Sequence, residues 1–246
     1  MNIKSTTESG TSTYVGNFDE LTGICDGFGP AYSPKPDYLK IPALKTQSVH
    51  IKASINDVDY GMSNVATAED ARQKAFALLP PLATRVLAAA TVLGLPDVVL
   101  VRIKEVVRKI RGDRAKPIKV EPLLEDEEPK KHISVSQKSF NEQIEHFHQL
   151  ITYVAPHPEY APTEDDLTVP SLRKLKDKMG ITNDGAREAN RILDDARDKR
   201  NALLYAPGTG MMDTALAVKE YVKAAFGTRS PQYKAVKSIS FKNKKF

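Results

Sequence analysis

The chain has 246 residues, a formal charge of +5, 41% hydrophobic residues and 27% charged residues. This composition excludes wholesale disorder and leaves room for one large domain or two small ones. A single cysteine, Cys25, excludes an intramolecular disulfide framework and any thiolate cluster, and no apolar run reaches the ~18 residues of a membrane span, so none is expected.

The opening residues, Met1 to Glu8, lack the apolar core of a secretory signal, so a cytoplasmic protein is expected. Residues 1–47 hold five of the 13 glycines, many Ser and Thr, and Pro30, Pro34 and Pro36. They show no apolar periodicity and read as an extended N-terminal arm. Residues 48–112 read as a first helical hairpin. Leu82, Val86, Ala89 and Leu93 lead through Gly94 and Pro96 to Ile103, Val107 and Ile110, with Gly112 as the stop. Residues 113–133, with Pro117, Pro122 and Pro129 among dense charge, read as a linker.

Residues 134–230 read as a second hairpin. Phe140, Ile144, Phe147, Ile151 and Val154 make one apolar face at helical spacing. Leu172, Leu175, Met179, Ala186, Ala189, Leu193, Ala196 and Leu203 predict one long helix from Val169 to Tyr205. Ala215, Val218, Val222, Ala225 and Phe226 form the last face, stopped by Gly227. Residues 231–246 read as a basic, extended tail, with a short strand around 236–241 pairing near Leu39–Ile41.

The chain resembles itself. Asp70–Leu79 matches Asp195–Leu204 at seven of ten positions, and Ile103–Arg108 follows the pattern of Val218–Lys223. Each of the second pair ends in Gly-x-Arg, at Gly112–Arg114 and Gly227–Arg229. The expected fold class is all-α: a bundle of two tandemly duplicated helical hairpins between an arm and a tail.

The positive charge is uneven. From Lys219 to Phe246 there are eight Lys/Arg against one acid, Glu220. A second basic run, Arg102 to Lys119, precedes an acidic run of Glu121, Glu125, Asp126, Glu127 and Glu128. Arg108, Lys109 and Arg111, and likewise Lys219 and Lys223, fall near helix C-termini, where they complement the helix dipole. The tail interleaves Tyr233, Phe241 and Phe246 with Lys234, Lys237, Lys242, Lys244 and Lys245, a mixture suited to phosphate contact and base stacking. Those five lysines are the candidate contacts for an anionic partner.

The segments Ala202-Leu203-Leu204-Tyr205-Ala206-Pro207-Gly208-Thr209-Gly210, Val218–Lys223 and Phe226–Lys234 resemble a family of uncharacterised bacterial proteins over roughly residues 133–241. The Ser230-Pro231-Gln232-Tyr233-Lys234 stretch is its most distinctive part. The resemblance implies helices and a bacterial origin, and it brings no activity, cofactor or site residue.

Motifs for chemistry were weighed against plainer roles. Gly208-Thr209-Gly210 lacks the Gly-Lys-Ser/Thr ending of a phosphate loop and reads as a turn between helices. His146 and His148 stand two apart on a helix and cannot share a metal, and with His132 and His157 they read as solvated surface. Cys25 has no His or Lys beside it to lower its pKa. The pairs Asp165–Asp166 and Asp194–Asp195 diverge on a helix. No catalytic residue, metal or cofactor is expected. The expected function is a non-enzymatic structural or interaction protein, a homo-oligomer or a binder of another protein, assembling through its terminal arms. The alternative is a protein that binds nucleic acid or an anionic surface through its tail; a small-molecule enzyme comes third.

Overall fold

The computed structural model describes residues 7–113 and 139–241, with side chains from Gly10 onward. Among these residues the fold is all-α, with no strand. The helices are α1 (Thr7–Gly27), α2 (Ile41–Ala77), α3 (Leu79–Val92), α4 (Asp97–Arg111), α5 (Phe140–Val154), α6 (Val169–Tyr205), α7 (Met211–Phe226) and α8 (Pro231–Lys237). Helix α6 has the extent that periodicity sets, and α5 carries the apolar face read from Phe140 to Val154. Gly112 and Gly227 stop α4 and α7 at φ of 75° and 87°, a region that glycine enters without steric cost.

Two terminal segments differ from their expected form. The segment expected as an extended arm is helical from Thr7 to Gly27. Thr11, Val15, Phe18, Thr22 and Cys25 make its buried stripe, together with Leu21. Two threonines and a cysteine in the stripe hide the period. Thr22 is tolerated inside because its hydroxyl donates to the Phe18 carbonyl at 2.8 Å. The expected extended tail is helical over Pro231–Lys237. Ser230 accepts from the Tyr233 amide at 3.0 Å and Pro231 fills the first turn, a strong start signal that opens a helix where a strand was expected. The expected linker falls mostly outside the described residues.

The chain divides into two compact units: residues 1–64 with 190–246, and residues 65–189. Each core draws on both halves of the sequence. In the first unit Phe18, Leu44 and Ile51 pack with Leu204, Met211 and Val218. In the second, Phe76, Val86 and Ile103 pack with Phe147, Leu150 and Leu172. Helices α2 and α6 each contribute to both units.

Some local features occur in both units. Helices α2 and α6 both have 37 residues. Ahead of α2, Tyr32 donates its hydroxyl to the Leu39 carbonyl at 2.8 Å; ahead of α6, Tyr160 donates to Leu167 at 3.0 Å. Leu39 and Leu167 each close a 3-10 turn, Asp37–Leu39 and Asp165–Leu167. The fully buried Leu79, Ala83, Val86 and Ala90 of α3 answer to Met211, Ala215, Val218 and Val222 of α7. The match seen in sequence pairs α4 with α7, whereas burial pairs α3 with α7.

The 52 residues Ile41–Val92 contain an 18-residue window of mean hydropathy 1.6, of which 39% is buried. By length and composition alone this stretch could cross a membrane, which a search for uninterrupted apolar runs misses because Pro80, Pro81, Thr84 and Arg85 break it up. Its α3 portion places Leu79, Leu82, Ala83, Val86 and Ala90 in the core of the second unit.

Candidate functional site

The basic end of the first unit is built on α7 and α8. Val236 and Ile239 turn into the core and fix which side of α8 faces outward. Lys234 and Lys237, three residues apart on one helix face, are exposed. Neither has an ion pair among the described residues, and the same holds for exposed Arg229. Lys223 is different, because it pairs with Glu220 at 3.0 Å. Lys242, Lys244 and Lys245 lie outside the described residues.

Lys219 is not a solvated dipole partner. Its ammonium donates to the Ile239 carbonyl and stands 5.2 Å over the Phe241 ring, and burial lowers its pKa. Asn17 donates to the Ser240 carbonyl at 2.9 Å and ties the same segment to α1. Phe241 is half-buried against the first core.

The other chemistry-bearing groups have structural partners. Cys25 is fully buried, and burial pushes its thiol up to about 12, so no thiolate is available near neutrality. Gly208 donates its amide to Asp213 at 2.8 Å, and Gly210 donates to the Ala206 carbonyl at 2.7 Å; the glycine segment is a turn whose backbone is already engaged. Of the paired carboxylates, Asp166, in a 3-10 turn, takes both terminal nitrogens of Arg85, while on α6 Asp194 and Asp195 diverge, to Arg197 at 3.3 Å and Arg191 at 2.7 Å.

The histidines are not equivalent. His132 lies outside the described residues. His146 is buried and His148 exposed, as two residues apart on a helix require. Among the described residues neither ring nitrogen of His146 meets a partner in hydrogen-bonding geometry. Burial lowers its pKa first, and Lys109 of α4 adds to this; Glu142, Glu145 and Gln149 of α5 oppose it. This contradicts the surface reading of His146. Among the described residues no group of three or more His, Cys, Asp or Glu could hold a metal.

The fold is that of an all-α protein of two helical units, the first of which carries, on and just before α8, cations that no described residue pairs. Compared with protein-family models, with curated proteins and with solved structures, the chain gives no match.

Proposed function

We propose that the protein works by binding rather than by chemistry, as a helical interaction protein whose α8 face meets an anionic partner. The observation that carries this is the exposed pair Lys234 and Lys237 on a helix whose other side is fixed in the core, with exposed Arg229 in the turn just before it, all three unpaired by any described residue. A rigid face of uncompensated cations attracts polyanions at a distance and loses that attraction in salt. Residues with chemical potential elsewhere are engaged in structure: Cys25 in the core, Tyr32 and Tyr160 on backbone carbonyls, Asp166 on Arg85. The described parts of both terminal segments belong to the first core, so assembly through free arms is not part of this reading.

Fluorescence anisotropy with a labelled DNA duplex as the probe polyanion tests it. Binding should weaken steeply with salt, and Lys234→Ala with Lys237→Ala should reduce the slope of log affinity against log salt by roughly 2. Absence of salt-dependent binding, or an unchanged slope, would refute the α8 face as the contact.

The two halves are proposed to descend from a duplication. In support, Tyr32, Leu39, Leu44 and Ile51 recur as Tyr160, Leu167, Leu172 and Met179, in corresponding roles within each core. The front of each copy then packs with the back of the other.

A further inference from the structure

The internal correspondence exposes one difference between the units. In the first unit α7 carries Tyr221, one residue before the buried Val222. Its ring stands edge-on to Tyr32, centroids 5.2 Å apart at 87°, and its hydroxyl accepts from the Ser33 amide at 3.1 Å. In the second unit the residue one before the corresponding Ala90 is Ala89, and the residue after Tyr160 is Ala161. Here an alanine stands where the first unit has a tyrosine.

The missing ring leaves space. A cavity of about 450 Å³, open to solvent along one side, is lined by Arg85, Ala88, Ala89, Ala161, Thr163 and Glu164, among others, most of them exposed. Its walls combine α3 with the segment after Tyr160, the counterparts of α7 and the segment after Tyr32, which Tyr221 bridges in the first unit. The size falls within the roughly 300–1,000 Å³ of small-molecule sites, and a mostly apolar wall with a few polar groups suits an aromatic guest. Arg85 is held by Asp166, with one bond at 3.0 Å, so the cavity presents no uncompensated cation. The Ala161 amide is turned back onto the Glu159 carbonyl at 2.9 Å. Thr163 lines the cavity with a hydroxyl that has no hydrogen-bond partner among the described residues and can serve a guest.

We propose that this cavity binds a small phenol-type aromatic molecule, whose ring takes the position that Tyr221 fills in the other unit. The first unit supplies its own occupant; the second leaves the place to a ligand. This inference is independent of the α8 reading, since no residue of α7, α8 or the tail lines the cavity.

The test is equilibrium dialysis of the full chain against 4-methylphenol, the tyrosine side chain without its backbone. One saturable site is expected. Ala89→Tyr rebuilds the first unit's arrangement and should weaken binding at least about tenfold while helicity by circular dichroism is kept. Tyr221→Ala opens the matching space in the first unit and should raise the stoichiometry from one to two. No saturable binding to the unmodified chain would overturn the proposal, as would full affinity in a folded Ala89→Tyr chain. Toluene binding as tightly as 4-methylphenol would overturn the assignment of a phenol. If Ala89→Tyr fails to fold, these comparisons of ligand and stoichiometry still decide.

Discussion

Tyr160 reaches seven residues forward to the carbonyl of Leu167, at 3.0 Å, and so pins the turn that launches α6. The phenol lies inside the protein, and burial pushes its pKa up to about 12. The acceptor belongs to a residue only 4% exposed. A carbonyl in such a place has little water to turn to, so removal of its donor costs more than the modest net value of an average hydrogen bond. Tyr160→Phe should therefore destabilise the protein by about 1–2 kcal/mol in urea unfolding, with Tyr32→Phe costing a similar amount through Leu39. A value near zero for both would mean that packing, not the hydroxyl, holds these turns.

Two glycines invite opposite outcomes. A Cβ at Gly210 would lie 2.6 Å from the Ala206 nitrogen and 2.8 Å from its oxygen, both backbone atoms that cannot swing away. At Gly61 the nearest atom would be Leu193 Cδ1 at 3.1 Å, the end of a flexible side chain. Gly210→Ala should cost about 2–3 kcal/mol through the forced shift of the α6–α7 turn. Gly61→Ala sets a helix-propensity gain of about 1 kcal/mol against a few tenths of an ångström of repacking, and should fall within about 0.5 kcal/mol of zero. Thermal melts of the two variants separate the cases.

Periodicity finds the apolar face of α5 and the extent of α6 because Phe140, Phe147, Leu172 and Met179 are large apolar groups at regular steps. Helix α1 escapes because Thr11, Thr22 and Cys25 occupy buried places where polar or small residues carry no hydrophobic signal. Helix α8 was legible in Ser230-Pro231, a cap followed by a first-turn proline, which outweighs the alternation after it. What sequence cannot show is which apolar face meets which. The stripe of α5 is evident, but nothing local says that it packs on α3 and α4 of the first half. The candidate lysines Lys234 and Lys237 were legible as exposed charge. The buried state of His146 and the cavity beside Ala89 depend on neighbours far away in sequence, and were not.

His146 makes the second unit sensitive to acid. Its ring is buried, neither nitrogen meets a described residue in hydrogen-bonding geometry, and its pKa is lowered from the ordinary 6.5 by burial and by Lys109. The unfolded chain is then the stronger base, so it binds the extra proton first as pH falls below 6.5. This stabilising contribution is present above that pH and is lost as pH drops toward the folded value. Glu142 and Asp166, lowered by their bonds to Ser139 and Arg85, lose their contributions only below the ordinary 4.5 and 3.8. His146→Leu should therefore flatten the fall in melting temperature between about pH 7 and about pH 5 and leave the steeper loss at lower pH. An unaltered fall across the upper window would place the acid sensitivity elsewhere.

Because each core takes helices from both halves, the chain should survive a cut between them. Phe18, Leu44 and Ile51 depend on Leu204, Met211 and Val218 to be covered, and Phe76, Val86 and Ile103 depend on Phe147, Leu150 and Leu172. Neither half can bury its own apolar residues alone, so separation exposes both cores at once. A protease site placed between Pro117 and Pro129, cleaved after folding, should leave the two fragments co-eluting at the mass of the intact chain. They should part only in denaturant. The cut removes the tether and with it the high effective concentration of one half for the other. Unfolding should then become concentration-dependent where the intact chain's is not. Fragments that separate under native conditions would show that the cores are held within each half, contrary to the exchange of helices seen in both units.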